Sequence, residues 1–120
     1  MSFKFEKLRV LQLAMDLGES INQISVAFPP SENFNLKSQI CRAADSVALN
    51  IAEGSVGQTN AEFRKFLGYA IRSLSEVVTC LYKAKYRNYI QEDSFKEYYE
   101  SSFNLVNQLI ALRNSLKDKN

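Results

Sequence analysis

At 120 residues, 46% hydrophobic and 23% charged, the chain has the size and balance of one globular domain that buries a core without staples. Its 15 Lys and Arg against 13 Asp and Glu leave a net charge of +2, which neither demands nor excludes a nucleic-acid partner. There is no histidine, and Cys41 and Cys80 lack metal-type spacing, so the commonest general base and metal ligand are excluded and no cofactor is expected.

The first predicted element spans about 6–28, where Val10, Leu13, Ala14, Leu17, Ile21, Ile24 and Phe28 recur every three or four residues as the stripe of a helix. It stops at Pro29-Pro30, because proline supplies no backbone donor and pushes the residue before it out of helical geometry. The second spans about 34–54, with Asn33 or Asn35 as its N-cap and Leu36, Ile40, Ala43, Ala44, Val47 and Ile51 as its buried stripe. Alanines there predict close approach of a neighbouring helix, and Gly54 suits a left-handed closing residue.

Thr59 and Glu62 form a capping box that opens a third helix over about 60–87. Phe63, Phe66, Leu67, Ala70, Leu74, Val77, Val78 and Leu81 line its inner face. After a break at 88–91, a fourth helix over about 92–117 carries Phe95, Tyr98, Tyr99, Val106, Leu109, Ile110 and Leu116, and the tail 117–120 is expected to fray. Four helices joined by short loops imply a single all-α domain over 1–120, an antiparallel up-and-down four-helix bundle. With no targeting pattern at the N-terminus, no apolar run of membrane-spanning length and two free thiols, the expected setting is the cytoplasm.

Two groups of side chains lie off the core stripes. Arg42, Ser46, Asn50 and Glu53 make a polar ridge on the second helix, matched on the third by Tyr69, Ser73, Glu76 and Cys80, with Arg72 one turn before Glu76. Three readings stay open: a solvated surface, a polar seam or subunit interface in which Arg42 meets Glu53 or Glu76, and a carboxylate pair of Glu53 with Glu76. A ferritin-like di-iron centre is excluded, since it needs Glu-x-x-His. The second group, Lys83, Lys85 and Arg87 among Tyr82, Tyr86 and Tyr89, reads as a nucleic-acid patch or as cations at a helix C-terminus. Lys37, Arg64 and Lys65 extend the patch if the fold gathers them. Both thiols read as small buried or interface residues.

The run Gln39-Ile-Cys-Arg-Ala-Ala-Asp-Ser-Val-Ala-Leu-Asn-Ile-Ala-Glu-Gly54, followed by Glu62-Phe63, Phe66-Leu67, Ala70 and Ser73-Leu-Ser-Glu76, resembles the signature of the 23S rRNA-intervening-sequence protein family. The likeness extends over nearly the whole chain. It implies a bacterial four-helix bundle that assembles as a homopentamer. It also implies RNA or other nucleic-acid binding through a basic surface and, from a branch serving diversity-generating retroelements, partnership with a reverse transcriptase. The chain departs from that pattern at Cys41, at the uncharged loop 55–60 and at Arg72, which restores one positive charge at a different place. Taken together, the expectation is a non-catalytic, homo-oligomeric scaffold that binds nucleic acid, with a protein-interaction scaffold as the alternative.

Overall fold

The structure is a computed structural model, described here for residues 2–116. After a 3-10 turn at Lys4–Lys7 come four α-helices: α1 (Arg9–Ser25), α2 (Leu36–Ser55), α3 (Asn60–Tyr86) and α4 (Glu92–Ser115). A second 3-10 turn, Pro30–Glu32, lies between α1 and α2. Neighbouring helices pack in the cycle α1–α2–α3–α4–α1, and the diagonal pairs do not meet, so the bundle is up-and-down, as expected. It measures 51 × 25 × 22 Å. The expected fraying of 117–120 lies outside the described residues.

The stripes predicted for α2 and α3 enter the core almost unchanged. Leu36, Ile40, Ala43, Ala44, Val47 and Ile51 are buried, as are Phe63, Leu67, Ala70, Leu74, Val77 and Leu81. On α4, Leu105 and Ser102 join Phe95 and Leu109 inside, while Tyr98, Tyr99, Val106 and Ile110 are half-buried. Ser102 enters an apolar core because its hydroxyl donates to the Tyr98 carbonyl one turn back (2.8 Å). Cys80, placed off the core by the helical wheel, is buried within the core cluster. Burial pushes its thiol above the ordinary range, with the nearby Glu76 adding to the shift.

The helix ends bring three corrections. Helix α1 stops at Ser25, a turn before the prolines, and Asn35 does not cap α2 with its own side chain. Gly54 is not left-handed at all, since no glycine has positive φ. It is buried within α2, where an added Cβ would lie 2.6 Å from the Phe66 Cβ and 3.1 Å from the Phe63 ring. Its role is to let α3 approach. The left-handed residue is Asn88 (φ 61°), which closes α3 in a Schellman motif with Tyr89 N–H donating to the Ala84 carbonyl and Asn88 N–H to that of Lys85. The Thr59 cap forms as expected, its hydroxyl accepting from Glu62 N–H at 3.0 Å.

Helix propensity favours alanine at position 54, while contact geometry forbids it. Gly54→Ala is therefore expected to destabilise the fold by about 1–3 kcal/mol through overpacking, a fall of roughly 4–12 °C in Tm. A thermal melt followed by circular dichroism decides between the two, and a raised Tm would refute the packing role.

Candidate nucleic-acid interface

The polar ridge of α2 resolves into two layers. In the seam with α3, Ser46 and Ser73 share a hydrogen bond (Oγ to Oγ, 2.9 Å). The Asn50 amide donates to the Ser46 carbonyl (2.8 Å) and hydroxyl (3.0 Å). All three are half-buried, so this part of the ridge is a satisfied polar seam between helices. Arg42, Glu53 and Glu76 are instead exposed. Arg42 donates to Ser38 Oγ one turn back on its own helix (2.8 Å), so the expected meeting with Glu53 or Glu76 does not form. Glu76 shares a cleft of about 180 Å³ with Gln39, Arg42, Ala43, Ser46 and Ser73. Glu53 lies beside Gly54 at the Phe66 end of α2, eleven residues or about 16 Å of helix beyond Arg42. The two carboxylates therefore do not converge.

The expected basic cluster at the end of α3 divides as well. The Lys85 ammonium pairs with Glu92 at the start of α4 (3.1 Å) and lies 4.5 Å over the Phe95 ring. Arg87 pairs with Glu32 (3.0 Å), leaving Lys83 exposed one turn before Tyr86, a residue that is 75% exposed. Arg64 donates to the Leu116 carbonyl (2.5 Å), which ties α3 to the end of α4. Lys37, half-buried in the first turn of α2, lines a shallow depression with Phe34, Cys41, Arg42 and Asp45. What the fold does align is one face of α3. Lys65, Tyr69, Arg72, Glu76 and Lys83 recur at spacings of four, three, four and seven, all exposed, over about 27 Å of helix. Along it, Lys65 lies 5.5 Å over the Phe66 ring and Arg72 lies 5.8 Å over Tyr69, with Phe66 and Tyr69 edge to face at 5.6 Å.

Glu32, which no sequence motif singled out, is the hub of a separate node. It is buried, and one carboxylate oxygen accepts from Tyr89 O–H (2.7 Å) and Arg87 (3.0 Å). The other accepts from the Asn35 amide (2.8 Å) and Leu36 N–H (3.3 Å), so Glu32 satisfies the start of α2 in place of an N-cap side chain. Its partners Arg87 and Tyr89 come from 55 and 57 residues away, beyond the reach of any local pattern. The hydrogen bond from Tyr89, aided by Asn35, Leu36 N–H and Arg87, holds the Glu32 carboxyl below its ordinary 4.5 against the opposing effect of burial. The same bond raises the Tyr89 hydroxyl above its ordinary 10, with burial adding to the shift.

An antiparallel bundle whose third helix presents a basic and aromatic outer face is the class of protein that this geometry defines. The family model of the 23S rRNA-intervening sequence protein matches residues 6–111, and the chain belongs to that family. Among solved structures it is similar to a protein of unknown function from the S23 ribosomal protein family of Bacteroides thetaiotaomicron. The two are 21% identical with a TM-score of 0.81 over 87% of this chain and 97% of the other, a likeness of fold. No curated protein matches the chain.

The lowered Glu32 pKa carries a sign. Between its folded value and 4.5 the unfolded chain binds the extra proton, so the contribution is complete above about pH 4.5 and lost as pH falls through the folded value. Tyr89 acts at the other end, where stability falls as pH rises above about 10. Glu32→Gln is therefore expected to melt several degrees below wild type at neutral pH, with the deficit closing as the pH drops below about 4.5. Parallel melts across pH test this, and a deficit independent of pH would show that the ionised carboxylate is not the stabilising group.

Proposed function

We propose that this protein is a non-catalytic, homo-oligomeric scaffold, a pentamer on the family resemblance, that carries RNA or another nucleic acid as part of a cytoplasmic ribonucleoprotein. The observation that carries the reading is the α3 face on which Lys65, Arg72 and Lys83 alternate with Tyr69 and Tyr86. Cations that follow a backbone beside rings that accept bases are the two requirements of single-strand binding. The opposite side of the bundle, the α1–α4 groove, is lined by Asp16 and Glu97 and repels phosphate, which orients the molecule on its ligand.

Assembly is supported by where the apolar surface lies. The α1–α2 groove exposes Met15 and Leu49, at 49% and 66%, beside Gly18 and Ala48. The opposite α3–α4 groove is lined by Leu74, Val78, Tyr99, Val106 and the exposed Phe103. Unlike patches on opposite sides of one subunit favour a heterologous contact, the kind that closes into rings, and leave the α2–α3 face free.

The second reading is a scaffold for a protein partner, such as a reverse transcriptase, without nucleic-acid contact. It draws on the same α3–α4 groove as a seat for an apolar segment. The non-catalytic reading draws on the separation of Glu53 from Glu76 and on the donor set: among the described residues no three His, Cys, Asp or Glu side chains gather as a metal site. No described helix is long and apolar enough to cross a membrane.

Filter binding of RNA at two salt concentrations tests the main reading. With about three phosphate contacts, from Lys65, Arg72 and Lys83, affinity should fall roughly 20-fold between 50 and 200 mM salt, and no binding at low salt would sink it. Sedimentation tests the assembly. Leu49→Asp should shift the oligomer to monomer while its Tm stays near that of the wild-type subunit, and a wild-type monomer would refute the ring.

A further inference from the structure

Two glycines sit inside helices of the α2–α3 pair, and only one is explained by the chain's own packing. Gly54 makes room for Phe66. Gly68, in the ninth position of α3, makes room for nothing: a Cβ built there meets no atom within 4 Å. Its φ is negative, so no special backbone conformation requires glycine either. Glycine in a helix interior is unfavourable relative to alanine, and its remaining use is to let something come close to bare backbone.

The surroundings indicate what comes close. Lys65 and Arg72 stand three residues before and four after Gly68, within about 60° and 40° of it around the helix. They are about 10 Å apart along the axis, one on each side of the half-buried Gly68 in the chain, with the Lys65 ammonium over the Phe66 ring and the Arg72 guanidinium over the Tyr69 ring. Tyr69 follows Gly68 in the chain, about 100° further round the helix and 38% exposed, with the Arg72 guanidinium 5.8 Å over its ring and Phe66 edge to face with it at 5.6 Å. Glu76, one turn beyond Arg72, bounds the site on the α2 side. A protein helix crossing at a glycine brings apolar side chains and would meet two cations here. A polyanion with flat bases meets a match for each of its parts.

We propose that Gly68 is the point of closest approach for one nucleotide of a single-stranded nucleic acid. Its sugar-phosphate lies over the bare backbone between Lys65 and Arg72, and its base stacks on Tyr69. A single strand is specified because a base must be unstacked from its neighbours to reach a tyrosine on a convex helix face. The inference rests on the nucleic-acid reading above and locates the contact that reading leaves open.

The test is fluorescence anisotropy with a short labelled single-stranded RNA and the same sequence as a duplex, at low and moderate salt, beside melts and sedimentation of each variant. Gly68→Ala should melt a few degrees above wild type, since the methyl has open space and favours the helix. Gly68→Leu should keep the fold and the oligomer yet bind the single strand about tenfold more weakly. Tyr69→Leu, which retains apolar bulk without the ring, should also lose about tenfold on the single strand and little on the duplex. Lys65→Gln and Arg72→Gln should each reduce the salt slope by roughly 0.7.

If wild type binds with a salt slope while Gly68→Leu and Tyr69→Leu bind as tightly, this site is wrong and the nucleic-acid reading stands. If wild type binds nothing at low salt, both fail. A changed sedimentation of Gly68→Leu without RNA would assign Gly68 to a subunit contact and overturn the proposal. Should Gly68→Leu unfold, Tyr69→Leu decides alone.

Discussion

The close approach of α2 to α3 is the constraint on which the remaining geometry depends. Small side chains line it from end to end: Ala43 and Gly54 on one helix, Ala70 on the other, and the Ser46–Ser73 pair at its middle. Bringing two helix backbones this near leaves no space for long polar side chains in the seam, so only hydroxyls and an amide remain there, each satisfied. Arg42, Glu53 and Glu76 are displaced to the rim. The seam also sets the rotation of α3 about its axis, and that rotation turns Lys65, Tyr69, Arg72 and Lys83 outward as one row.

A second anchor acts at the opposite end of the same helix pair. Glu32 joins the start of α2 to the residues just past α3 through Arg87 and Tyr89, and the left-handed Asn88 turns Tyr89 back toward it. The Phe28 ring lies 5.5 Å from that of Tyr89, so the connection between α1 and α2 is fixed by apolar contact as well. This anchor engages a cation that would otherwise add to a basic surface, and Lys85 is engaged likewise by Glu92. Local density of Lys and Arg along a chain therefore overstates the charge offered to a ligand, because carboxylates on other elements neutralise part of it.

The sides of the bundle differ: Met15 and Leu49 are exposed at α1–α2 beside Glu19 and Asp45, cations and tyrosines stand on α3 with Glu76 among them, the α3–α4 groove is mostly apolar, and Asp16 and Glu97 line α1–α4. Each follows from which residues flank a core stripe, since a helix that buries one arc must show its flanks to solvent or to a partner. Membership of the 23S rRNA-intervening sequence protein family agrees with this architecture over residues 6–111.

The four helices and nearly all of the core were legible in the chain itself. Apolar residues every three to four positions determine which arc of a helix is buried, and Pro29-Pro30 and the Thr59 cap mark where helices stop and start. Leu105, Ser102 and Cys80 escaped that reading, because a wheel cannot show how wide an arc the neighbours cover. Gly54 and Gly68 look alike in the chain, yet one meets Phe66 and the other meets nothing. Whether Lys85 and Arg87 are free or paired, and whether Glu53 faces Glu76, depended on how separate helices and turns are brought together. Only the tertiary structure decides such matters, because periodicity is a local property and partnership is not.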